Sequence, residues 1–217
     1  MRTESKPTFL PAGGHALTAL RRPAALIALH WATALIGATT VALVLAHELA
    51  DGKVLRAWLL NGHRAFGALV LALTLARLII RLRHHPLPES VAATTVHGIA
   101  IGSVHLALYG LLVAVPLLGW ALTNAHGQPV SLFGLYSLPS LIERDADLAD
   151  TLADVHEEAA WILVAAVALH VAAALWHHFI RRDPVLLAML PARGVSPVPV
   201  PTSATALVSI ASKSTKA

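Results

Sequence analysis

Hydrophobic positions divide the chain into four long apolar stretches separated by polar segments. Each stretch reaches the roughly 20 residues that a helix needs to cross the ~30 Å hydrocarbon core of a bilayer. The pattern therefore predicts an all-α fold, an integral membrane four-helix bundle. The predicted spans are about 23–46, 58–80, 99–122 and 159–180.

The polar segments divide the chain further. Residues 1–22 form a polar lead, and residues 191–217, rich in Pro, Ser, Thr and Ala, predict a flexible tail. Residues 23–190 between them form one predicted transmembrane domain, in which 123–158 is the longest loop. A cleaved signal peptide is the alternative for the first span. That span exceeds the roughly 7–15 apolar residues of a signal core, however, and it contains His30.

Charged residues indicate how the spans are oriented. If the N-terminus is cytoplasmic, 12 of the 16 Lys and Arg residues lie on the cytoplasmic side, and nine of the 12 Asp and Glu residues lie outside. An excess of bases in cytoplasmic segments is the usual topological signal of membrane proteins. We therefore expect both termini, and with them the lead and the tail, in the cytoplasm.

Composition narrows the chemistry. Of the 217 residues, 56% are hydrophobic, 13% are charged, 13 are His and none is Cys. Without Cys the chain has neither disulfides nor thiolate metal sites, and covalent attachment of c-type haem is excluded. The bases lie at the ends of apolar stretches, so the net charge of +4 indicates membrane topology and no nucleic-acid partner.

Five histidines lie in or beside the predicted spans. His30, His105 and His170 lie well inside, and His63 and His156 lie at or just beyond the outer ends of the second and fourth spans. An ionisable side chain within the bilayer costs about a few kcal/mol and usually faces the bundle interior with a partner. Several such residues in a small bundle therefore predict a functional site.

Helix geometry arranges four of these histidines in two pairs. His156 and His170 are 14 residues apart, which places them on one helix face about 21 Å apart along the axis. His63 begins the second span at the depth of His156, and His30 lies near the depth of His170. Two stacked His–His pairs suit two b-type haems, each held by two axial imidazoles.

Three other interpretations apply to these histidines. A single His in a span is more often a hydrogen-bonded interior residue or part of a proton relay. Zinc requires three or four ligands at one depth, which two separated pairs do not offer. A haem-free structural membrane protein is the alternative from another class. Four histidines at two matching depths favour haem over each of these.

Three further residues extend the candidate site. His105 is either an axial ligand in place of His30 or a residue that serves a quinone or a haem propionate. His177, seven residues after His170, is a candidate for the same two partners, with an interfacial position as the alternative. Arg77 is a candidate propionate partner because Arg binds carboxylates in bidentate fashion. The alternative for Arg77 is a cytoplasmic anchor.

Short motifs around these residues match a known family. The matching segments are Leu29-His30-Trp31, His63-Arg64-Ala65-Phe66-Gly67, Ala76-Arg77-Leu78, His105 through Pro116 to Gly119-Trp120, His156-Glu157, Leu169-His170-Val171 and His177-His178-Phe179. Over about residues 20–191 the chain resembles the bacterial cytochrome b561 family, four-helix di-haem proteins of the inner membrane. The resemblance implies His30 with His170 on one haem and His63 with His156 on the other.

The resemblance also implies a function. It implies electron exchange with a membrane quinone such as ubiquinone, and one family member oxidises superoxide at the outer face. The chain is then either a superoxide:ubiquinone oxidoreductase or a haem b membrane-anchor subunit whose partner dehydrogenase or cytochrome docks at the acidic outer loop 123–158. The acidic outer face repels an anionic donor, unless Lys53, Arg56 and Arg64 form a basic funnel near His63.

Overall fold

A computed structural model of the chain describes residues 23–83, 96–182 and 186–190, with the backbone alone for 96–101. The predicted lead and tail lie outside the described residues. The elements are the helices α1 (Ala24–Leu49), α2 (Lys53–Arg83), α3 (Val96–Ala125) and α4 (Ala146–Trp176), the strands β1 (Ser131–Leu132) and β2 (Tyr136–Ser137), and after α4 a π-helical turn (His177–Arg181) and a 3-10 turn (Leu187–Met189).

The four helices confirm the predicted fold. All four are long and apolar enough to span a membrane. α1 packs along α2, α2 along α3 and α3 along α4, so neighbours in sequence are neighbours in space. Small or β-branched residues such as Ala65 and Val70 are buried between helices, whereas Leu35 and Leu106 are 70% and 75% exposed. Large apolar side chains on the outer surface suit contact with lipid.

Each helix extends beyond its predicted span at one end or at both, and the start of α4 shows why. It begins at Ala146 because the carboxylate of Asp145 caps it, accepting a hydrogen bond from the amide of Leu148 at 3.1 Å. The first turns of α4 carry acidic residues, so apolar content alone places the start of the helix too late. The prediction of a continuous loop over 123–158 is therefore wrong, since α3 continues to Ala125.

A small hairpin closes one end of the bundle. β1 and β2 pair antiparallel, and the ring of Phe133 between them packs edge-on against Phe66 of α2, with ring centres 5.2 Å apart. Trp120 of α3 donates its indole N–H to the carbonyl oxygen of Pro139 at 3.2 Å. We call this the hairpin end. The opposite end, where α1 begins and α4 finishes, is the terminal end.

A contact at the terminal end joins the first helix to the segment after the last. Trp31 of α1 donates its indole N–H to the carbonyl oxygen of Met189 in the 3-10 turn, at 2.7 Å. The contact holds the start of α1 close to the chain that leaves α4.

Candidate functional site

One histidine pair lies nearer the hairpin end. His63 of α2 and His156 of α4 face each other with ring centres 6.2 Å apart and ring planes at 88°. Nδ1 of His63 lies 2.9 Å from the carbonyl oxygen of Thr40, and Nδ1 of His156 lies 3.1 Å from that of Val115. The two carbonyls belong to α1 and α3, so all four helices contribute to this pair.

These two carbonyls decide which ring nitrogen is available for a ligand. A carbonyl oxygen only accepts, so Nδ1 of His63 and Nδ1 of His156 each carry a proton and donate it. The neutral imidazole then keeps its lone pair on Nε2, where a metal can bind. Both rings of this pair are therefore in the tautomer that an axial ligand needs.

Gly119 of α3 makes room for the ring of His156. A Cβ atom at position 119 would lie 2.9 Å from Cε1 of that ring, closer than nonbonded atoms pack. Gly119 belongs to the family motif above, but the sequence does not show which ring it meets. That contact arises from the packing of α3 against α4.

The second pair lies nearer the terminal end. His30 of α1 and His170 of α4 have ring centres 6.4 Å apart and ring planes at 73°. His105 of α3 lies closer still, with its ring centre 5.6 Å from that of His170. The structure thus brings all three histidines together, and it keeps open whether His30 or His105 is the partner of His170.

Two arginines of α2 reach this terminal-end cluster. Nη1 of Arg77 lies 3.0 Å from Nδ1 of His30. The ring of Tyr109 lies against both guanidinium groups, with its centre 5.5 Å from Cζ of Arg77 and 5.4 Å from Cζ of Arg81. Sequence reasoning missed Tyr109 and Arg81, although each follows a named residue, His105 or Arg77, by one helical turn.

The spacing of both pairs fits a haem between two axial imidazoles. An imidazole nitrogen lies about 2 Å from a bound metal, and the ring centre lies about 1 Å farther out. Two axial rings on one iron therefore have centres roughly 6 Å apart. The measured separations are 6.2 Å at the hairpin end and 6.4 Å at the terminal end. The residues present therefore fit the group.

Both pairs use α4, at different depths. The 14 residues between His156 and His170 correspond to about 21 Å along the helix axis. Among the described residues, α4 packs along α3, and neither α1 nor α2 packs along α4. The imidazoles of His30 on α1 and His63 on α2 therefore approach histidines of α4, although the backbones of α1 and α2 do not pack against α4.

The remaining predicted site residues have separate positions. His177 is the first residue of the π-helical turn, two turns beyond His170, and is half-buried. Arg64 donates from Nη1 to the side-chain carbonyl of Gln128 at 2.8 Å. Arg56 lies 4.0 Å from a carboxylate, and Lys53 is exposed at the start of α2. Three basic residues are expected to form a funnel near His63. Of these, Arg64 is the one that contacts the loop after α3.

Comparison with known proteins identifies the family. The family model described as prokaryotic cytochrome b561 matches residues 21–192. A probable superoxide oxidase of Yersinia pestis is 33% identical over 135 residues, covering 62% of this chain and 76% of the relative. Cytochrome b561 homolog 1 of Escherichia coli strain K12 is 32% identical over 169 residues, covering 77% and 95%. Homolog 2 of the same organism is 31% identical over 128 residues, covering 59% and 68%. With four helices able to span a bilayer and a family match over most of its length, the chain belongs to the prokaryotic cytochrome b561 family, multi-pass proteins of the bacterial inner membrane.

Proposed function

We propose that this cytochrome binds two b-type haems and moves single electrons between a donor on the outer side of the membrane and membrane quinone. Transmembrane electron transfer and b-type haem are properties of the family. The number of haems, the donor and the acceptor are the proposal. The observation that carries it is the presence of two facing histidine pairs, 6.2 and 6.4 Å between ring centres, at two depths of α4.

Each haem has a named pair of ligands. His63 and His156 would hold the haem nearer the hairpin end, and His30 and His170 the haem nearer the terminal end. A bound haem supplies a one-electron couple. The backbone carbonyls at the hairpin end fix the ring tautomers there, and the apolar helices exclude water. The protein's contribution is therefore ligand orientation, spacing and a low-dielectric setting.

We place the quinone site at the terminal end. Reduction of a quinone to a quinol needs protons as well as electrons, so this site needs a side chain that exchanges protons. An imidazole ring has one nitrogen that donates a proton and one that accepts a proton. His105 lies beside His170, 5.6 Å between ring centres, and His177 follows two turns later. We assign His105 and His177 to the quinone and Arg77 to a haem propionate.

Superoxide is the leading candidate for the donor. One relative carries the name probable superoxide oxidase, and Arg64 places a cation next to His63 at the hairpin end. In this reaction two superoxide anions each lose one electron and become dioxygen. One quinone takes up both electrons and two protons and becomes a quinol. The protein is then a superoxide:ubiquinone oxidoreductase.

The acidic start of α4 favours a second candidate function. Asp154, Glu157, Glu158 and Trp161 line a shallow cavity of about 300 Å³ on its exposed face. Such a surface attracts a basic partner better than an anionic substrate. In this case the chain is a membrane-anchor or electron-transfer subunit, and a basic periplasmic dehydrogenase or cytochrome supplies the electrons.

Haem content is the first test of the proposal. A reduced-minus-oxidised spectrum of the purified protein, with pyridine haemochrome quantitation, is expected to give two b haems per chain. A ratio near one in well-folded protein contradicts the two-site proposal. A spectrum without haem absorption indicates a haem-free structural protein.

Superoxide then separates the two candidate functions. The purified protein, given chemically generated superoxide and a ubiquinone analogue, is expected to form quinol faster than the uncatalysed control. A preparation that does not react with superoxide, but copurifies with a basic cytochrome or a dehydrogenase that reduces its haem, is the subunit of the second candidate function.

A further inference from the structure

The contact between Arg77 and His30 conflicts with metal binding by His30. A guanidinium group only donates, so their 3.0 Å contact requires a lone pair on Nδ1 of His30. The proton of the neutral ring then lies on Nε2, the opposite of the arrangement at His63 and His156. For Nε2 to bind a metal, the ring proton must move to Nδ1, and Arg77 must turn to another acceptor.

Thr74, one turn before Arg77, gives an independent sign of a missing partner. Its side chain is 1% exposed, and its hydroxyl has no hydrogen-bond partner among the described residues. The buried hydroxyls of Thr33 and Thr123 donate to the carbonyl four residues earlier, at 2.7 and 2.8 Å, as threonines in helices commonly do. A buried hydroxyl without a partner has lost its hydrogen bonds to water and gained none in return.

The two residues lie on the face of α2 that carries the candidate haem ligand. Thr74 and Arg77 follow His63 by 11 and 14 residues, each close to a whole number of helical turns. The contact with His30 fixes the depth of Arg77 at the terminal-end pair. One anionic acceptor beside His30 would draw the guanidinium away from the imidazole, and the unpartnered hydroxyl one turn earlier on the same face would donate to it as well. A carboxylate has two oxygens for this purpose, and b-type haem carries carboxylate side chains.

We propose that Thr74 and Arg77 form the receptor for a haem carboxylate at the terminal-end site, and that this carboxylate frees His30 for ligation. The proposal rests on the haem pairing proposed above. When the carboxylate binds the guanidinium of Arg77, the ring proton of His30 moves from Nε2 to Nδ1. The imidazole remains neutral, with no net gain or loss of a proton. The terminal-end site therefore requires a carboxylate on its haem. His63 and His156 already carry their ring proton on Nδ1, which leaves Nε2 available. The hairpin-end site therefore does not require a carboxylate on its haem.

Haem with esterified propionates tests the proposal directly. The full-length apoprotein carrying His156→Ala retains only the terminal-end pair, so binding there is read from the Soret absorbance alone. Esterification is expected to weaken this binding at least about tenfold, because charged hydrogen bonds contribute about 1.5–3 kcal/mol. With Arg77→Gln added, the natural and esterified haems should bind equally within about threefold. Arg77→Lys should restore part of the preference, and Arg64→Gln at the other end should leave it unchanged.

Thr74→Val gives a second measurement that does not depend on charge. Val removes the hydroxyl and keeps the shape, so the apoprotein should be at least as stable as the wild type, while the natural haem binds several-fold more weakly. Thr123→Val is the matched control, because its hydroxyl is satisfied within α3. This control should lower the stability of the apoprotein and leave terminal-end binding unchanged.

Two outcomes overturn the proposal. One is equal binding of natural and esterified haem to the His156→Ala protein. The other is a full preference for natural haem that survives Arg77→Gln. A failure of the haem pairing itself is distinguishable, since adding His30→Ala to the His156→Ala protein would then leave the bis-histidine spectrum with natural haem intact. If His156→Ala does not insert, uptake of the second haem equivalent by the otherwise unaltered chain gives the same comparison.

Discussion

At the scale of single residues, the imidazoles of the candidate sites are oriented by partners on other helices. His63 donates to a carbonyl of α1, His156 donates to a carbonyl of α3, and His30 meets Arg77 of α2. The first two partners are backbone atoms, so their presence depends on helix packing and not on which side chain stands there. Substitution of the histidines themselves is therefore the informative test.

Replacement of either histidine of a pair should remove the same haem. We expect His156→Ala and His63→Ala to lose the hairpin-end haem and keep the other, because a bis-histidine site loses its character when one ligand is removed. His30→Ala and His170→Ala should match each other and spare the hairpin-end haem. Low-temperature reduced-minus-oxidised spectra, with haem-to-protein ratios, distinguish the two classes. A His30→Ala spectrum that resembles that of His156→Ala contradicts the pairing.

His105 needs a separate comparison because its ring is closer to His170 than that of His30 is. We expect His105→Ala to retain both haems and to slow quinone reduction in a stopped-flow assay. Loss of the terminal-end haem in His105→Ala, together with its retention in His30→Ala, would instead make His105 the ligand. Haem binding contributes to the stability of the bundle, so only variants that insert and keep one intact haem are informative.

Gly119→Ala tests the close contact between α3 and the ring of His156. The added Cβ would meet that ring at 2.9 Å, so the ring must shift, and we expect a weakened or spectrally altered hairpin-end haem. Gly110→Ala on the same helix is the matched control, since no atom lies within 4 Å of its Cβ position. The control should keep both haem spectra. Identical spectra for the two variants would show that His156 tolerates a side chain at position 119.

At the scale of the elements, the sequence predicts the helices well and their ends poorly. A span needs about 20 apolar residues, so four such runs define four helices. The helices continue into polar sequence, where apolar content carries no signal, and α4 begins at Ala146 because of a capping carboxylate. Depth along the helices correctly brings His30 beside His170. The contact of Arg77 with His30 depends on side-chain rotamers, which spacing does not determine.

Asp145→Ala should loosen the first turns of α4. The carboxylate satisfies the amide of Leu148, and loss of such a cap costs about 1 kcal/mol. We expect faster amide hydrogen exchange over the first two turns of α4, with both haems retained. Asp154→Ala, also acidic and on the same helix but not a cap, should leave that exchange unchanged. Equal loss of protection in both variants would show that general charge, and not the cap, sets the start of α4.

At the scale of the whole molecule, charge separates the two ends of the bundle. α2 ends in Arg81 and Arg83, and the chain leaves α4 through Arg181 and Arg182, all at the terminal end. The hairpin end carries the acidic start of α4. Because bases are enriched in cytoplasmic segments of membrane proteins, we expect the terminal end to lie inside. In that orientation the proposed quinone site would lie in the inner half of the membrane and the proposed donor site on the outer side.

Cysteine labelling tests this orientation without interference, because the chain has no native Cys. We expect Asp147→Cys, near the start of α4 at the hairpin end, to react with a membrane-impermeant maleimide in intact spheroplasts. Ser203→Cys, in the predicted tail and outside the described residues, should react only after the membrane is opened. Labelling of position 147 from the cytoplasmic side alone would reverse the orientation. The hairpin-end haem would then face the cytoplasm, and an outer donor such as superoxide would meet the terminal-end histidines instead.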